Sequence, residues 1–201
     1  MAYRDQKAAL RALTAIAVSQ GGYFTSRQAE DAGYDAPHLT YHLSVGNFER
    51  AGRGLYRIPI LPLSEHDDLI RLWLWSRGRD DQPRAVLSHQ TALALHDLAE
   101  FIPTAIHLTV PPGFRKRPPE GCVLHKKRIE SNETQSLDAL RMTTPLRTLR
   151  DLADAGSLPN EQFENAVSAA VQRGLIRQRD ADELLGKSRE QRRADRSADG
   201  R

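Results

Sequence analysis

The stretch GYFTSRQAEDAGYDAPHLTYHLSVGNFERAGRGLYRI, residues 22–58, decides the fold of the front of this 201-residue chain. Tyr23-Phe24-Thr25 reads as a short strand. Ser26 is expected to cap a helix that runs to Ala32, with Glu30 close to its positively polarised start and Gly33 as its stop. Asp35 precedes Ala36-Pro37, and proline is tolerated at the beginning of a helix, so a second helix is predicted from Ala36 to about Gly46. Leu39 and Leu43, with Tyr41 or Val45, would supply its inward side. Asn47 to Ile58 reads as a two-strand wing, in which Gly52 and Gly54 permit the positive φ of a tight hairpin. Phe48, Leu55 and Ile58 are expected to pack inward, with Arg50, Arg53 and Arg57 outside. A polar second helix starting after a glycine turn, followed by such a wing, is the order a winged helix-turn-helix needs to place one helix in the major groove.

Working outward, Ala9, Leu10, Leu13, Ile16 and Ala17 recur at helical spacing over residues 5–19, and Gly21-Gly22 ends that helix. Downstream, Pro59 and Pro62 break the sheet and mark a linker, so the boundary falls near residues 59–64. The reading divides the chain into a DNA-binding winged helix over 1–60, an α+β domain over 65–186 and a disordered tail over 187–201. The second domain opens on a helix from about Glu65 to Ser76. Ser88 is expected to cap a helix over His89 to Ala99. Strands are predicted at Ile106–Val110, Cys122–His125 and Ala139–Met142. Thr144 with Pro145 starts a helix to Ala155, and two more helices cover 159–173 and 178–185. From Gly186 the sequence is charged and nearly free of large apolar residues, too little to offset ordering entropy. The fold class is α+β: an N-terminal winged helix-turn-helix, then a mixed domain with a small antiparallel or mixed sheet and several helices.

The composition is that of a globular chain, with 39% apolar and 27% charged residues. One cysteine, Cys122, excludes an internal disulfide framework and suits a reducing cytosol. No apolar run approaches the roughly 20 residues that span a bilayer, and residues 1–10 lack a secretory apolar core. A cytoplasmic protein without a membrane partner is expected. The net charge is +3 but unevenly spread. Residues 1–60 carry seven Lys/Arg against five Asp/Glu, and residues 111–150 carry nine against four. The intervening 61–110 carry four against seven, and the last 51 residues nine against ten. Two basic zones flank an acidic one, and phosphate binding would use those two.

His38, Thr40, Tyr41, His42 and Ser44 on the second helix, with Asn47 at its exit, are the candidates for base edges. No Arg or Lys lies on this helix, so the guanidinium fork that reads guanine is missing from it. Backbone anchoring would fall to Arg27, Arg50, Arg53 and Arg57, with Arg53 at the wing tip able to reach a minor groove. A second basic group joins Arg115, Lys116 and Arg117 to Lys126, Lys127 and Arg128. If their strands pair as a hairpin, both clusters share one rim; a solvated loop or a face for an acidic partner protein are the alternatives.

Enzymatic readings are weaker. His38 and His42 stand at i and i+4, a chelating spacing, but have no third ligand nearby and read better as a solvent-facing pair. His89 and His96 lack a completing carboxylate or thiol. Ser88 and His89 are adjacent, expected to point apart, and have no Gly-x-Ser-x-Gly elbow. Cys122 reads as a small core residue rather than a nucleophile. There is no phosphate-cradling glycine loop. No catalytic residue, metal or cofactor is expected.

These segments also resemble a known family. Gly-Gly-Tyr-Phe-Thr with Arg27-Gln28-Ala29, and Arg53-Gly54-Leu55-Tyr56-Arg57, are similar to the winged helix of AbiEi-type antitoxins. Leu87-Ser88-His89-Gln90-Thr91-Ala92-Leu93 with Leu95-His96-Asp97-Leu98 resembles a further element of that family. So do His107-Leu108-Thr109-Val110-Pro111 and Thr143-Thr144-Pro145-Leu146-Arg147-Thr148-Leu149-Arg150-Asp151-Leu152-Ala153. Asp97 stands where the family often has glycine. The resemblance spans roughly residues 8–185 and implies the antitoxin of a type IV toxin–antitoxin pair. Such a protein binds repeats in its own promoter as double-stranded DNA and represses its operon. It counteracts a nucleotidyltransferase-like toxin without needing a stable complex, and it can self-associate on DNA. The rival reading is a protein-interaction module whose winged helix meets a partner protein and binds no DNA.

Overall fold

The computed structural model describes residues 3–199, with side-chain surroundings over 7–190. It divides into two compact units, residues 1–84 with 138–140, and residues 85–137 with 141–201. The protein is α+β, and its first unit is a winged helix.

In the first unit, α1 (Tyr3–Ser19) leads through Gly21-Gly22 into β1 (Tyr23–Thr25), α2 (Ser26–Asp31) and α3 (Ala36–Ser44). β2 (Glu49–Gly52) and β3 (Leu55–Arg57) form the wing, and α4 (Asp67–Trp75) follows. The sheet order is β1-β3-β2, both pairs antiparallel. Thr25, rather than Ser26, caps α2: its Oγ1 accepts from the Gln28 N–H while Gln28 Oε1 accepts from the Thr25 N–H. A hydroxyl one residue earlier closes this reciprocal box, which Ser26 is placed too late to do. Asp35 caps α3 by accepting from the His38 N–H at 2.9 Å.

The core of this unit is Leu13, Ala17, Phe24, Ala29, Tyr34, Phe48, Tyr56 and Ile58. Phe24 meets Phe48 edge-on at 4.9 Å and stacks on Tyr56 at 5.6 Å. Leu39 and Leu43 pack against this core from α3. Tyr41 and Val45 do not join them; they are 59% and 49% exposed. The sequence reading began a second domain near residue 65, whereas α4 clusters with the winged helix. Tyr23 donates its phenol to Asp67 at 2.8 Å, and burial together with that carboxylate pushes the phenol up to about 12. Gly21 has φ +64, and a Cβ there would come within 2.5 Å of Ile70 Cδ1, so α4 lies directly on the turn after α1.

The second unit holds β4 (Val86–Leu87), α5 (His89–Leu95), β5 (Ile106–Val110), β6 (Cys122–Lys126), β7 (Thr134–Leu137) and β8 (Leu140–Thr143). Helices α6 (Pro145–Ala155), α7 (Asn160–Gln172) and α8 (Gln178–Asp199) complete it. The sheet order is β6-β5-β4-β8-β7. β4 pairs antiparallel with β5 and parallel with β8, and β5 pairs parallel with β6. Leu93, Leu149, Leu152, Phe163, Val167 and Leu184 bring the helices into one apolar core. Asp97, after the end of α5, has φ +54, the left-handed conformation a glycine would take without strain and an aspartate tolerates. α8 is helical through part of the segment expected as a tail, supported by the i,i+4 pair Lys187–Glu183 at 3.1 Å and by Ser188 turned inward. Residues 200 and 201 lie outside the described residues.

Candidate nucleic-acid interface

Helix α3 carries two faces. His38, Leu39, His42 and Leu43 are half-buried, while Pro37, Thr40, Tyr41 and Ser44 are exposed. The exposed four stand at i, i+3, i+4 and i+7, one continuous stripe along the helix. Thr40 Oγ1 donates to the Ala36 carbonyl at 2.9 Å, and Ser44 Oγ donates to the Tyr41 carbonyl at 2.8 Å. Asn47 Nδ2 donates to His42 Nδ1 at 3.0 Å.

The two histidines of α3 are separated in role. His38 Nδ1 lies 2.8 Å from Asp35 at the helix start. His42 turns toward the core, its ring 4.9 Å from Phe48 and 5.3 Å from Tyr34, and burial holds its pKa below the ordinary value. It therefore leaves the stripe on which the sequence reading placed it. His38, one turn earlier, lies on the same half-buried side with Leu39 and Leu43, so neither histidine joins the exposed stripe.

At the wing, Gly52 pairs with Leu55, so Arg53-Gly54 is a two-residue turn, with an irregularity between Arg50 and Gly52. Gly54 has φ +62, and a Cβ there would meet Ser26 Oγ at 3.1 Å and Arg77 Nη2 at 3.2 Å. Arg77 Nη2 donates to the carbonyls of both Arg53 and Gly54 at 2.9 Å, and Arg77 pairs with Asp81 at 3.1 Å. The wing tip is thus fixed from behind while the Arg53 side chain remains exposed. Arg50 is exposed with its guanidinium 5.6 Å from the Tyr56 ring centre. Arg27 is exposed and donates to the Arg79 carbonyl at 3.1 Å. Arg57 was expected outside with them. Instead it is half-buried, donating to the carbonyls of Pro59 and Leu61, with Nε buried and unpartnered. β3 is the central strand, and its last side chain is taken up by the chain that follows.

The basic residues of the second unit are arranged differently from the hairpin expected. Parallel pairing of β5 and β6 makes residues 111–121 a crossover, and Arg115, Lys116 and Arg117 lie exposed on it. The four prolines of that segment favour an extended path long enough to return to the start of β6. Lys126, Lys127 and Arg128 lie at the far end of β6 and just beyond it. Lys127 is committed to Asp151 at 3.3 Å and Asp154 at 3.6 Å.

Residues 11–59 match the family of AbiEi antitoxin transcriptional regulators. The matched segment contains β1, α2, α3 and the wing, the elements that build the exposed stripe and the arginine-tipped turn. The crystal structure of the RV2827C protein from Mycobacterium tuberculosis is similar over 90% of this chain and 77% of that chain, at 18% identity and a TM-score of 0.41. No curated protein matches the chain.

A buried polar cluster in the second unit escaped the sequence reading. His89 stacks on His125 with ring centres 3.4 Å apart, and His107 Nδ1 lies 2.9 Å from His125 Nε2. Ser88 Oγ lies 2.9 Å from His89 Nδ1 and accepts from Thr109 Oγ1 at 2.8 Å. Ser88 and His89 therefore meet, against the expectation that they point apart, and Ser88 stands at the N-cap position of α5 without a capping bond from its side chain. A positive φ of +51 at His89 turns its ring back toward the serine. Ser88 is fully buried and His89 is 2% exposed, which withholds the pair from solvent. Beside this cluster the buried Asp151 carboxylate accepts from Arg147 at 2.9 Å. Burial pushes His89 down to about 3 and His107 down to about 4, helped by the neighbouring imidazoles. Only the parallel register, which sets Thr109 opposite His125, brings these residues together. Among the described residues no three His, Cys, Asp or Glu are arranged to hold a metal ion, and no helix is long and apolar enough to cross a membrane.

Proposed function

We propose that this protein is a DNA-binding antitoxin that represses its own operon as one half of a type IV toxin–antitoxin pair. The observation that carries the reading is the coincidence of the 11–59 family match with a helix whose outward stripe is polar and a wing whose tip is an exposed arginine. In this reading Thr40, Tyr41 and Ser44, with Asn47 at the helix exit, meet base edges in the major groove of promoter repeats. Arg27, Arg50 and Arg53 hold the phosphate backbone. Arg57 and Lys127 drop out of the contact set because their charged groups serve the fold. Arg115, Lys116, Arg117, Lys126 and Arg128 give the second unit a phosphate-binding surface of its own. The partner toxin would be nucleotidyltransferase-like, opposed without catalysis by this chain and without an obligatory stable complex, in the cytoplasm.

The test is a gel shift of the full chain on its own upstream region across a salt series. Retardation at low salt is expected, with affinity falling as salt rises. Arg53→Ala should flatten the log–log salt slope by about one unit and change stability by no more than about 0.5 kcal/mol. An unchanged slope removes Arg53 from the interface. No retardation at low salt favours a winged helix that meets a protein instead.

A further inference from the structure

The exposed face of α3 has a chemical bias that the helix sequence alone conceals. Thr40 and Ser44 each carry one hydroxyl donor, and both are already used, on the Ala36 and Tyr41 carbonyls, while Asn47 gives one of its two amide N–H donors to His42 Nδ1. What they retain for an outside partner is the hydroxyl lone pairs of Thr40 and Ser44 and, on Asn47, the amide carbonyl with one N–H beside it, a pair that matches adenine N6 and N7. Between these acceptors lie apolar groups, namely the Pro37 ring, the Thr40 methyl and the Tyr41 ring, all on the exposed stripe. The Thr40 bond to the preceding turn fixes its rotamer, so the methyl is held rather than sampled. No lysine or arginine stands on the helix, and His42 is turned toward the core.

Base pairs differ in what they offer such a face. Guanine presents two acceptors in the major groove and meets acceptors poorly. Cytosine presents an amino donor but no methyl group. An A·T pair presents the adenine amino donor and the thymine C5-methyl together. Resting on the DNA-binding reading above, we propose that the α3 face selects A·T pairs, through the thymine methyl against Pro37, Thr40 and Tyr41 and the adenine amino group against the free oxygens of Thr40, Ser44 and Asn47.

The experiment is selection of duplexes from a random library by the full chain at low salt, followed by anisotropy titration of the selected duplex. The same duplex is then titrated with uracil in place of thymine in the core, a change that removes only the C5-methyl. An A·T core is expected, with affinity falling about fourfold for each methyl that is buried against the helix. Thr40→Ser, which keeps the hydroxyl and deletes the methyl on an exposed position, should bind the thymine duplex more weakly and shrink the gap between the two duplexes. A guanine-rich core, or equal affinity for the thymine and uracil duplexes, overturns the A·T assignment and leaves DNA binding standing. Failure to select any duplex overturns the DNA reading and this inference with it.

Discussion

The two units use their polar side chains in opposite ways. Thr40 and Ser44 on α3 spend their donors on carbonyls of their own helix, Asn47 just beyond it gives one N–H to a ring five residues back, and all three stay at the surface. In the second unit, Ser88, His89, Thr109, His107 and His125 come from the α5, β5 and β6 regions and bond or stack with one another, buried or half-buried. Local bonds at a surface leave capacity for an outside molecule. Bonds between distant elements consume that capacity in specifying the fold, and at low local dielectric each is costly to break. In the DNA-binding reading proposed above, recognition falls to the first unit, and the polar centre of the second specifies its fold.

The substitution that should break this contrast most sharply is Asp151→Ala. Its carboxylate is 2% exposed and serves both Arg147 and Lys127. Removing it leaves Arg147, 12% exposed, with Glu133 and the Arg128 carbonyl, and should cost about 3 kcal/mol. Both tryptophans, Trp73 and Trp75, lie in α4 of the first unit, so fluorescence follows that unit while far-UV circular dichroism follows both. In urea unfolding the dichroism transition should shift and the tryptophan midpoint should hold. Equal shifts in both would show that the polar centre is not the second unit's alone.

Acidification is the next largest effect. His89 and His107 are lowered from 6.5 to about 3 and about 4, chiefly by burial, and His125 is lowered as well despite the Asp151 charge beside it. The folded protein keeps these rings neutral, whereas the unfolded chain takes up protons from about pH 6.5 downward. Their contribution to stability is complete above pH 6.5 and is lost as pH falls toward 4 and then 3. The dichroism midpoint should decline over that interval, and His89→Asn, whose side chain tolerates the positive φ at this position, should make the decline shallower. An identical profile for the variant would exclude a neutral buried stack.

The smallest effect sharpens the first unit. Asp35→Ala removes the cap of α3 and should lower the tryptophan midpoint by an amount equivalent to about 1 kcal/mol. DNA affinity should fall with it, because the stripe is presented by that helix. A loss of stability with affinity intact would place recognition elsewhere on the unit.

Much of the first unit was legible because its signals are local. The helix start at Ala36-Pro37, the helical spacing of Leu39 and Leu43, and the tight wing turn around Arg53 and Gly54 each act within a few residues. The errors arose where a distant element intervened. Arg57 reads as a surface cation until Pro59 and Leu61 fold over it. α4 reads as the start of a new domain until Asp67 reaches Tyr23. In the second unit the two-residue strand Val86–Leu87 lies inside the sheet but is too short to show a period, and polar β7 gives no alternation. The basic clusters at 115–117 and 126–128 were legible as charge, but their placement depends on a parallel pairing that no local pattern encodes.

Helix-start residues, apolar periodicity and glycine turns are written locally in the chain, and they suffice to mark residues 22–58 as a winged helix. Those outcomes follow from capping, periodicity and backbone preference, all short-range forces. Long-range packing sets that Arg57 and Lys127 are engaged and that histidines 89, 107 and 125 form one stack. Each of these depends on strand direction and register, set by burial of apolar surface between segments far apart in the chain.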